Sequence, residues 1–153
     1  MIDILERITG GKGKPEDISR LLEMSDTVIK GALCGLGTTA PNPIISSIRY
    51  FRDEWEAHVN EKRCPALVCK PLINFYILPD KCQGCGICLR SCPAEAITGG
   101  KRMVHVIDQS KCIKCATCLE KCPTKFSAIK KVSGETIEVP PEPVPLAAGA
   151  GTK

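Results

Sequence analysis

Eight cysteines in two groups of four are the residues of this 153-residue chain best suited to chemistry. The first group is Cys82, Cys85, Cys88 and Cys92, and the second is Cys112, Cys115, Cys118 and Cys122, each displaced by 30 positions. Both have the spacing C-x2-C-x2-C-x3-C-P, which lets a tight loop point three thiolates at one iron–sulfur cubane. Zinc ribbons use C-x2-C pairs, and disulfide frameworks are typical of small secreted domains. The spacing therefore predicts two [4Fe–4S] clusters.

The repeated motif resembles that of bacterial two-cluster ferredoxins. In those proteins the fourth cysteine, which precedes a proline, ligates the other cluster. The resemblance assigns one cluster to Cys82, Cys85, Cys88 and Cys122, and the second to Cys92, Cys112, Cys115 and Cys118. No catalytic residue is expected, because such a protein supplies its clusters with ligation, spacing and electrostatics.

Residues 73–132 are predicted to be this two-cluster domain, an internal duplication with a pseudo-two-fold axis. Strands are predicted at 73–78 and 103–107 as partners of each other, each entering a cysteine loop through an aspartate. Short helical segments are predicted at 94–97 and 127–129, after each Cys-Pro. His105 lies in the second strand, and we expect it to be structural.

Residues 1–60 are predicted to form a small helical bundle, so the fold class is α followed by α+β. Helices are expected at 1–9 and from Pro15 to Gly31, with a third beginning at Pro43. Apolar residues continue along the third helix as one stripe of Ile44, Ile48, Phe51, Trp55 and Val59. A stripe without polar ligands predicts a bundle core.

A second set of possible metal ligands has the spacing H-x5-C-x4-C. Its histidine comes just before a predicted connector, residues 61–72, and its two cysteines lie within that connector. The set consists of His58, Cys64 and Cys69. Soft ligands so close together suit zinc, but a structural zinc site has four protein ligands and no fourth is evident. Two interpretations stay open: a zinc hinge, or a solvated histidine beside two ordinary cysteines.

Composition limits the remaining possibilities. Residues 133–153 are rich in proline, then in alanine and glycine, and are predicted to be a disordered tail. No apolar run is long enough to span a membrane, no signal peptide is recognisable, and eleven cysteines favour a reducing compartment, so we expect a cytoplasmic protein. The net charge is +4, but no basic stripe is interleaved with aromatics, which argues against nucleic acid.

The helical region adds a second resemblance. The strings ILERITGGKGKPEDISRLLEM and ALCGLGTTAPNPIISSIRYFRDEWEAHV resemble the C-terminal helical region of NADH-binding flavoprotein subunits. That family includes bacterial NADH dehydrogenases and the electron-bifurcating FeFe-hydrogenases and formate dehydrogenases, whose subunits append a two-cluster ferredoxin domain. The resemblance covers residues 1 to about 132.

This resemblance implies a further shared [4Fe–4S] cluster with Cys34 as its fourth ligand. The family's other three ligands, spaced C-x2-C-x2-C, and its flavin and NADH sites precede the region seen here. We therefore expect the chain to correspond to a C-terminal part or a split subunit. The remaining three ligands would lie upstream or on another chain.

Electron transfer is the leading functional prediction. The clusters would relay single electrons between a flavin-bearing, NAD(P)H-oxidising subunit and ferredoxin or another iron–sulfur subunit of a hydrogenase or formate dehydrogenase complex. One alternative is a stand-alone ferredoxin-type carrier. Another is an assembly or hinge module stabilised by zinc.

Overall fold

A computed structural model describes residues 1–146 of the chain. It divides the chain into two compact units, Met1–Ile73 and a second unit that begins at Asn74. Residues 61–72, predicted to be a connector, lie within the first unit. The end of the predicted disordered tail, residues 147–153, lies outside the described residues.

The first unit is helical. Its elements are α1 (Ile2–Thr9), α2 (Glu16–Gly31), α3 (Gly35–Thr39), α4 (Asn42–Tyr50), α5 (Arg52–Glu56), a π-helix (Ala57–Glu61) and a 3-10 helix (Lys70–Leu72). Helices α1 and α2 match the predicted first and second helices. Helix α3 lies in a segment where no helix was predicted, and its glycines and threonines give no helical period.

Apolar side chains from four of these elements form the core of the helical unit. The buried members are Ile4, Ile8, Ile18, Leu21, Ile48 and Val59. Within α1 and α2 they recur at three- and four-residue spacing, which is the pattern that lets a helix bury one face. Trp55 packs partly buried against this cluster.

The predicted third helix is interrupted, which corrects the prediction of one continuous stripe. Phe51 leaves the helical region at φ −128° and ψ 40°, and its side chain is 55% exposed. The helix restarts immediately, because the Phe51 carbonyl accepts hydrogen bonds from the N–H groups of Glu54 and Trp55. The chain then widens into the π-helix that carries His58.

The connector is tied to this bundle by Lys62. This residue adopts the left-handed conformation at φ 53° and closes the π-helix. Its ammonium donates to the carbonyl of Val59 at 2.7 Å and to the carbonyl of Gly13. The segment that follows is therefore anchored, and Cys64 is buried.

The second unit contains two small sheets. Strand β1 (Ile73–Ile77) pairs with β4 (Ile129–Ser133), and β2 (Ile97–Thr98) pairs antiparallel with β3 (Val106–Ile107). The predicted pairing of residues 73–78 with 103–107 is therefore wrong. Each strand that precedes a cysteine motif pairs instead with the strand that follows the other motif.

The helices of the second unit lie inside the cysteine motifs. They are α6 (Ile87–Arg90) and α7 (Thr117–Lys121), each beginning after the second cysteine of its motif. The helical segments predicted at 94–97 and 127–129 are wrong, because strands β2 and β4 begin within those segments. Segments this short give too few apolar repeats to distinguish the two periods.

Part of the predicted tail is ordered by backbone hydrogen bonds. Ser133 ends β4 and is buried, so the tail does not begin there. Farther along, the N–H of Val104 donates to the carbonyl of Val144 at 2.7 Å, and the N–H of Leu146 donates to that of Arg102 at 3.1 Å. Proline lacks only the backbone N–H. The carbonyls of this segment and the N–H groups of its other residues therefore remain available for such hydrogen bonds.

None of the helices in residues 1–146 is long and apolar enough to cross a membrane.

An ion pair joins α1 to the start of α2. Asp17 is buried, and its carboxylate accepts hydrogen bonds from the Arg7 guanidinium and, at 2.8 Å, from the Lys14 backbone N–H. The hydrogen bond from Arg7 is the main reason that the pKa of Asp17 lies below its usual range. Ionised Asp17 thus stabilises the folded helical unit.

We predict that Asp17→Asn lowers the free energy of unfolding of this unit by about 1–3 kcal/mol at neutral pH. Because the folded pKa is depressed, the stabilisation is fully present above the unfolded value of about 3.9 and is lost as the pH falls through the folded pKa. Urea unfolding followed by the fluorescence of Trp55, the only tryptophan, measures this. Asp26→Asn, which removes the exposed pair with Lys30, is the control and should cost less than about 1 kcal/mol.

Candidate metal centres

Two loops with the same backbone conformation precede α6 and α7. Gly84 and Gly86 in the first loop have φ of 62° and 70°, and Lys114 and Ala116 in the second have 57° and 65°. Left-handed residues at alternate positions turn the chain tightly. The side chains of the three cysteines in each loop can thus converge.

The first of two cavities in this unit is lined by the thiols of Cys82, Cys85 and Cys88 and by the fourth cysteine of the second motif, Cys122. Ile77, Phe126, Ala128 and Ile129 provide apolar walls, and Gln83 and His105 complete the lining. The cavity therefore offers four sulfur donors in a largely apolar enclosure.

The second cavity has the reciprocal composition. Cys112, Cys115 and Cys118 line it together with Cys92, the fourth cysteine of the first motif. Its apolar walls include Phe75, Ala96, Ile97 and Ile107.

The third cysteine of each motif is strongly protected from ionisation. Burial, and after it the neighbouring charges of Cys82 and Cys85, raises the pKa of Cys88 to about 12. Burial likewise raises the pKa of Cys118 to about 11, with smaller contributions from Cys112 and Cys115 and then Cys92. Thiolates at these positions would be unfavourable unless a cation neutralised their charge. The donor set therefore fits a cationic iron–sulfur cluster, and no disulfide joins any cysteines in residues 1–146.

In each cavity a polar side chain lies close to a cysteine sulfur. The Nδ1 atom of His105 lies 3.7 Å from the Sγ of Cys82, and His105 is 2% exposed, with burial lowering its pKa. In the second cavity the hydroxyl of Thr117 lies 3.3 Å from the Sγ of Cys115. Sequence reasoning missed both contacts, although the 30-residue displacement could have shown that His105 corresponds to Phe75.

Lys114 occupies the loop of the second cavity. Its ammonium donates to the side-chain oxygen of Asn74 at 2.6 Å and to that of Gln109 at 2.9 Å. The counterpart position in the first loop is Gly84, which has no side chain. A lysine at this position is thus particular to the second loop.

The structure also brings together the three predicted ligands of the helical unit. The Nε2 of His58 and the Sγ atoms of Cys64 and Cys69 all lie within 4.8 Å of one another. The distance from Nε2 to the Sγ of Cys69 is 3.5 Å. The other ring nitrogen, Nδ1, lies 2.7 Å from the carbonyl of Glu54, so it carries the hydrogen and leaves Nε2 with a free lone pair.

The two cysteines of this triad differ in acidity. Burial raises the pKa of Cys64, but hydrogen bonds from the backbone N–H groups of Cys69 and Val68 outweigh it and lower the pKa to about 7. Burial and the neighbouring Cys64 sulfur raise the pKa of Cys69 to about 11. One thiolate beside one protonated thiol is the arrangement expected when the two sulfurs are close.

Cys34 lies apart from these sets, at the start of α3. It is exposed, and so are its neighbours Leu33 and Leu36. Gly37 packs closely in the same turn, since a Cβ there would lie 2.7 Å from that of Ala32. Among residues 1–146, no other cysteine, histidine or acidic residue joins Cys34 in a cluster suited to a metal.

Comparison with known proteins matches two separate regions of the chain to families. The NADH-ubiquinone oxidoreductase-F iron-sulfur binding region matches residues 1–58, and the 4Fe-4S dicluster domain matches residues 81–132. The predicted resemblance is confirmed. The chain thus combines a region similar to the NADH-ubiquinone oxidoreductase-F iron-sulfur binding region with a region similar to a 4Fe-4S dicluster domain.

Two relatives illustrate this homology. The NADP-reducing hydrogenase subunit HndC of Solidesulfovibrio fructosivorans is 50% identical over 105 residues, which is 69% of this chain and 21% of that protein. The F-type subunit of the NADH-quinone oxidoreductase of Mycobacterium tuberculosis is 47% identical over 62 residues, 40% of this chain and 14% of that protein. The chain therefore spans about a fifth or less of the length of these two relatives.

The geometry of the first loop predicts different tolerance at its two glycines. A Cβ at Gly84 would lie 2.9 Å from the backbone nitrogen and oxygen of Met103, whereas one at Gly86 would meet only the guanidinium of Arg90, at 3.1 Å. Ala116, the counterpart of Gly86, already has a Cβ at a similar φ. We expect Gly84→Ala to cost at least about 1–2 kcal/mol of strain and Gly86→Ala distinctly less.

Iron per chain and the thermal loss of visible absorbance in anaerobically purified protein provide the measurement. Gly84→Ala should lower both the iron content and the temperature at which the absorbance is lost, and Gly86→Ala serves as the matched control. Equal behaviour of the two variants would show that the contact with Met103 does not constrain the loop.

Proposed function

We propose that this chain is an electron-transfer module that relays single electrons through two [4Fe–4S] clusters. The observation that carries the proposal is the pair of cavities, each lined by four cysteine thiols and apolar walls. When bound, the clusters supply one-electron redox chemistry, and the chain holds them, excludes water and tunes their electrostatics.

The proposed ligation is crossed between the motifs. Cys82, Cys85, Cys88 and Cys122 hold one cluster, and Cys112, Cys115, Cys118 and Cys92 hold the other. The placement of Cys122 in the first cavity and of Cys92 in the second supports this assignment.

We further propose that the second unit is an internal duplication with pseudo-two-fold symmetry. Equivalent backbone hydrogen bonds recur at a displacement of 30: Cys82 N–H to Leu78 and Cys112 N–H to Asp108. Leu78 N–H likewise bonds to Ala128, and Asp108 N–H to Ala96. The last pair of acceptors is displaced by 32, as expected if the second copy has two extra residues.

The proposed donor and acceptor follow from the relatives. One is a subunit of an NADP-reducing hydrogenase and the other of an NADH-quinone oxidoreductase. We propose that electrons pass between a flavin-bearing, NAD(P)H-oxidising part and ferredoxin or an iron–sulfur subunit of a hydrogenase or formate dehydrogenase complex of the electron-bifurcating type. The basic residues between 61 and 131 would offset the negative charge of the clusters and attract an acidic partner.

The test of this function is to remove each cluster separately. Wild-type protein purified anaerobically should contain roughly eight iron atoms per chain, and Cys85→Ala and Cys115→Ala should each lose about half of them. Their reduced electron paramagnetic resonance spectra should lack different signals. Reoxidation of the dithionite-reduced chain by an added ferredoxin should slow at least about tenfold in one of the two variants, because dithionite reduces both clusters directly and only one of them is the exit to ferredoxin.

The crossed ligation is tested in the same spectra. Cys92→Ser should alter the signal that Cys115→Ala removes, and Cys122→Ser the one that Cys85→Ala removes. About two irons per chain, or zinc alone, would refute the two-cluster proposal, since two cubanes hold roughly eight. Full reoxidation rates in both cluster-deficient variants would instead refute the relay.

For Cys34 we propose a role as the fourth ligand of a further [4Fe–4S] cluster. Its exposed thiol and exposed leucine neighbours support the proposal, because a ligand to a shared cluster must be open to the segment that brings the other three thiolates. One thiolate cannot hold a cubane. The other ligands are expected from an upstream segment or another chain.

For His58, Cys64 and Cys69 we propose a zinc site. Zinc bond lengths of about 2.3 Å to sulfur and about 2.0–2.1 Å to nitrogen place tetrahedral ligands roughly 3.6 Å apart. The distance of 3.5 Å between Nε2 and the Sγ of Cys69 agrees with this. The bond from Nδ1 to the Glu54 carbonyl orients the ring as the outer hydrogen bonds of zinc histidines do.

We predict that about one zinc co-purifies with the chain and that His58→Ala releases it without lowering the iron content. Cys34→Ser is the control, because that cysteine belongs to the same unit but lies outside the triad. Elemental analysis of both variants measures the result. Protein expressed with ample zinc that nevertheless holds none would rule the site out.

A further inference from the structure

We propose that His105 donates a hydrogen bond from Nδ1 to the sulfur of Cys82 and thereby raises the reduction potential of the cluster in the first cavity. The inference rests on the proposed function, because it requires that Cys82 ligate a cluster. It makes His105 a positioning residue that tunes one of the two clusters.

Ligation itself determines the direction of the hydrogen bond. A cysteine bound to iron is a thiolate and has no hydrogen to donate. The hydrogen between two atoms 3.7 Å apart must then belong to Nδ1, so the imidazole is the donor and the sulfur the acceptor.

Packing against Gly99 restricts the imidazole of His105. Gly99 lies against the ring, and a Cβ built there would be 2.5 Å from Cδ2 and 2.9 Å from Cγ of His105. The close approach of the glycine backbone therefore leaves the ring little freedom to withdraw from Cys82.

The second cavity has no such donor at the equivalent position. Phe75 precedes His105 by the 30 residues that separate the two motifs, is fully buried, and lines the second cavity as His105 lines the first. A phenyl ring thus fills in one copy the place that an imidazole fills in the other. Filling the core does not require a nitrogen at this position.

The effect on potential follows from charge. Reduction adds one negative charge to a cluster that its thiolates already make negative, and an N–H dipole pointing at a ligand sulfur stabilises the reduced state more than the oxidised one. Hydrogen bonds to the sulfurs are a recognised determinant of iron–sulfur potentials. The donor therefore raises the potential of the first cluster relative to the same site without it.

The test is His105→Phe, which installs the side chain already found in the other copy. We expect the equilibrium constant for one-electron reduction of the first cluster to fall several-fold to about tenfold. A tenfold fall corresponds to a reduction potential lower by about 59 mV. Redox titration followed by electron paramagnetic resonance resolves the two clusters once Cys85→Ala and Cys115→Ala have assigned their signals. The potential of the second cluster should not change.

Two further variants separate hydrogen bonding from packing. His105→Gln retains a side-chain N–H donor, so it should recover part of the lost potential. Thr117→Val removes the hydroxyl beside Cys115 in the other cavity. The equivalent residue of the first copy is Ile87, which is also β-branched, so valine should fit. This variant must leave the first cluster's potential unchanged. An unchanged or raised first-cluster potential in His105→Phe would overturn the proposal.

A measurement on protein that retains His105 keeps the proposal testable if His105→Phe fails to assemble. The chain contains two histidines, so pulsed electron paramagnetic resonance of ¹⁵N-histidine protein, with His58→Ala as background, reports on His105 alone. We expect a nitrogen coupling to the reduced first cluster. Its absence overturns the inference while leaving the relay intact, whereas absent iron would refute the proposed function itself.

Discussion

Each four-cysteine cavity of the second unit draws three thiols from one motif and the fourth from the other. This constraint accounts for the strand pairing, because Cys92 and Cys122 must each cross to the opposite copy before the chain continues. The strand that follows each crossing then pairs with the strand that precedes the other motif, which gives β1 with β4 and β2 with β3. Few large side chains are available here, and aromatics make up only 4% of the chain. Metal ligation would therefore supply much of the folding free energy of this unit.

The helical unit arranges its own ligands by a different means. The irregular residue Phe51 and the π-helix after it interrupt what would otherwise be one long helix. Wide helical turns of this kind are frequent at functional sites. Here the π-helix places His58 so that Nδ1 meets the carbonyl of Glu54 while Nε2 faces Cys69. Lys62 then closes the helix, and the chain beyond it returns both cysteines to the ring.

Sequence was sufficient wherever a single residue type at a fixed spacing determines the geometry. The periodic helices α1 and α2 were predicted close to their observed bounds. The resemblance to two-cluster ferredoxins implied which cysteines share a cluster, and the two cavities are lined by the same groups of cysteines. Sequence was insufficient where competing contacts decide the outcome. Nothing local distinguishes strand 97–98 from a helical turn, and the break at Phe51 lies in a segment whose apolar spacing is helical throughout. His105 was predicted to be structural because its strand alternates, and only tertiary packing shows which sulfur its ring faces.

The polar groups around the two cavities show that the copies are not interchangeable. The first cavity has an imidazole at a ligand sulfur, where the second has a phenyl ring; the second has a lysine and a threonine, where the first has Gly84 and Ile87. His105 and Thr117 lie beside ligand sulfurs, and Lys114 lies in the cysteine loop itself, whereas the loop conformations and the hydrogen bonds entering the loops are equivalent. If the second unit is a duplicated scaffold, as proposed, it would hold two clusters alike in ligation but different in electrostatic surroundings. In a relay, that difference would set the cluster on which an electron resides between transfers.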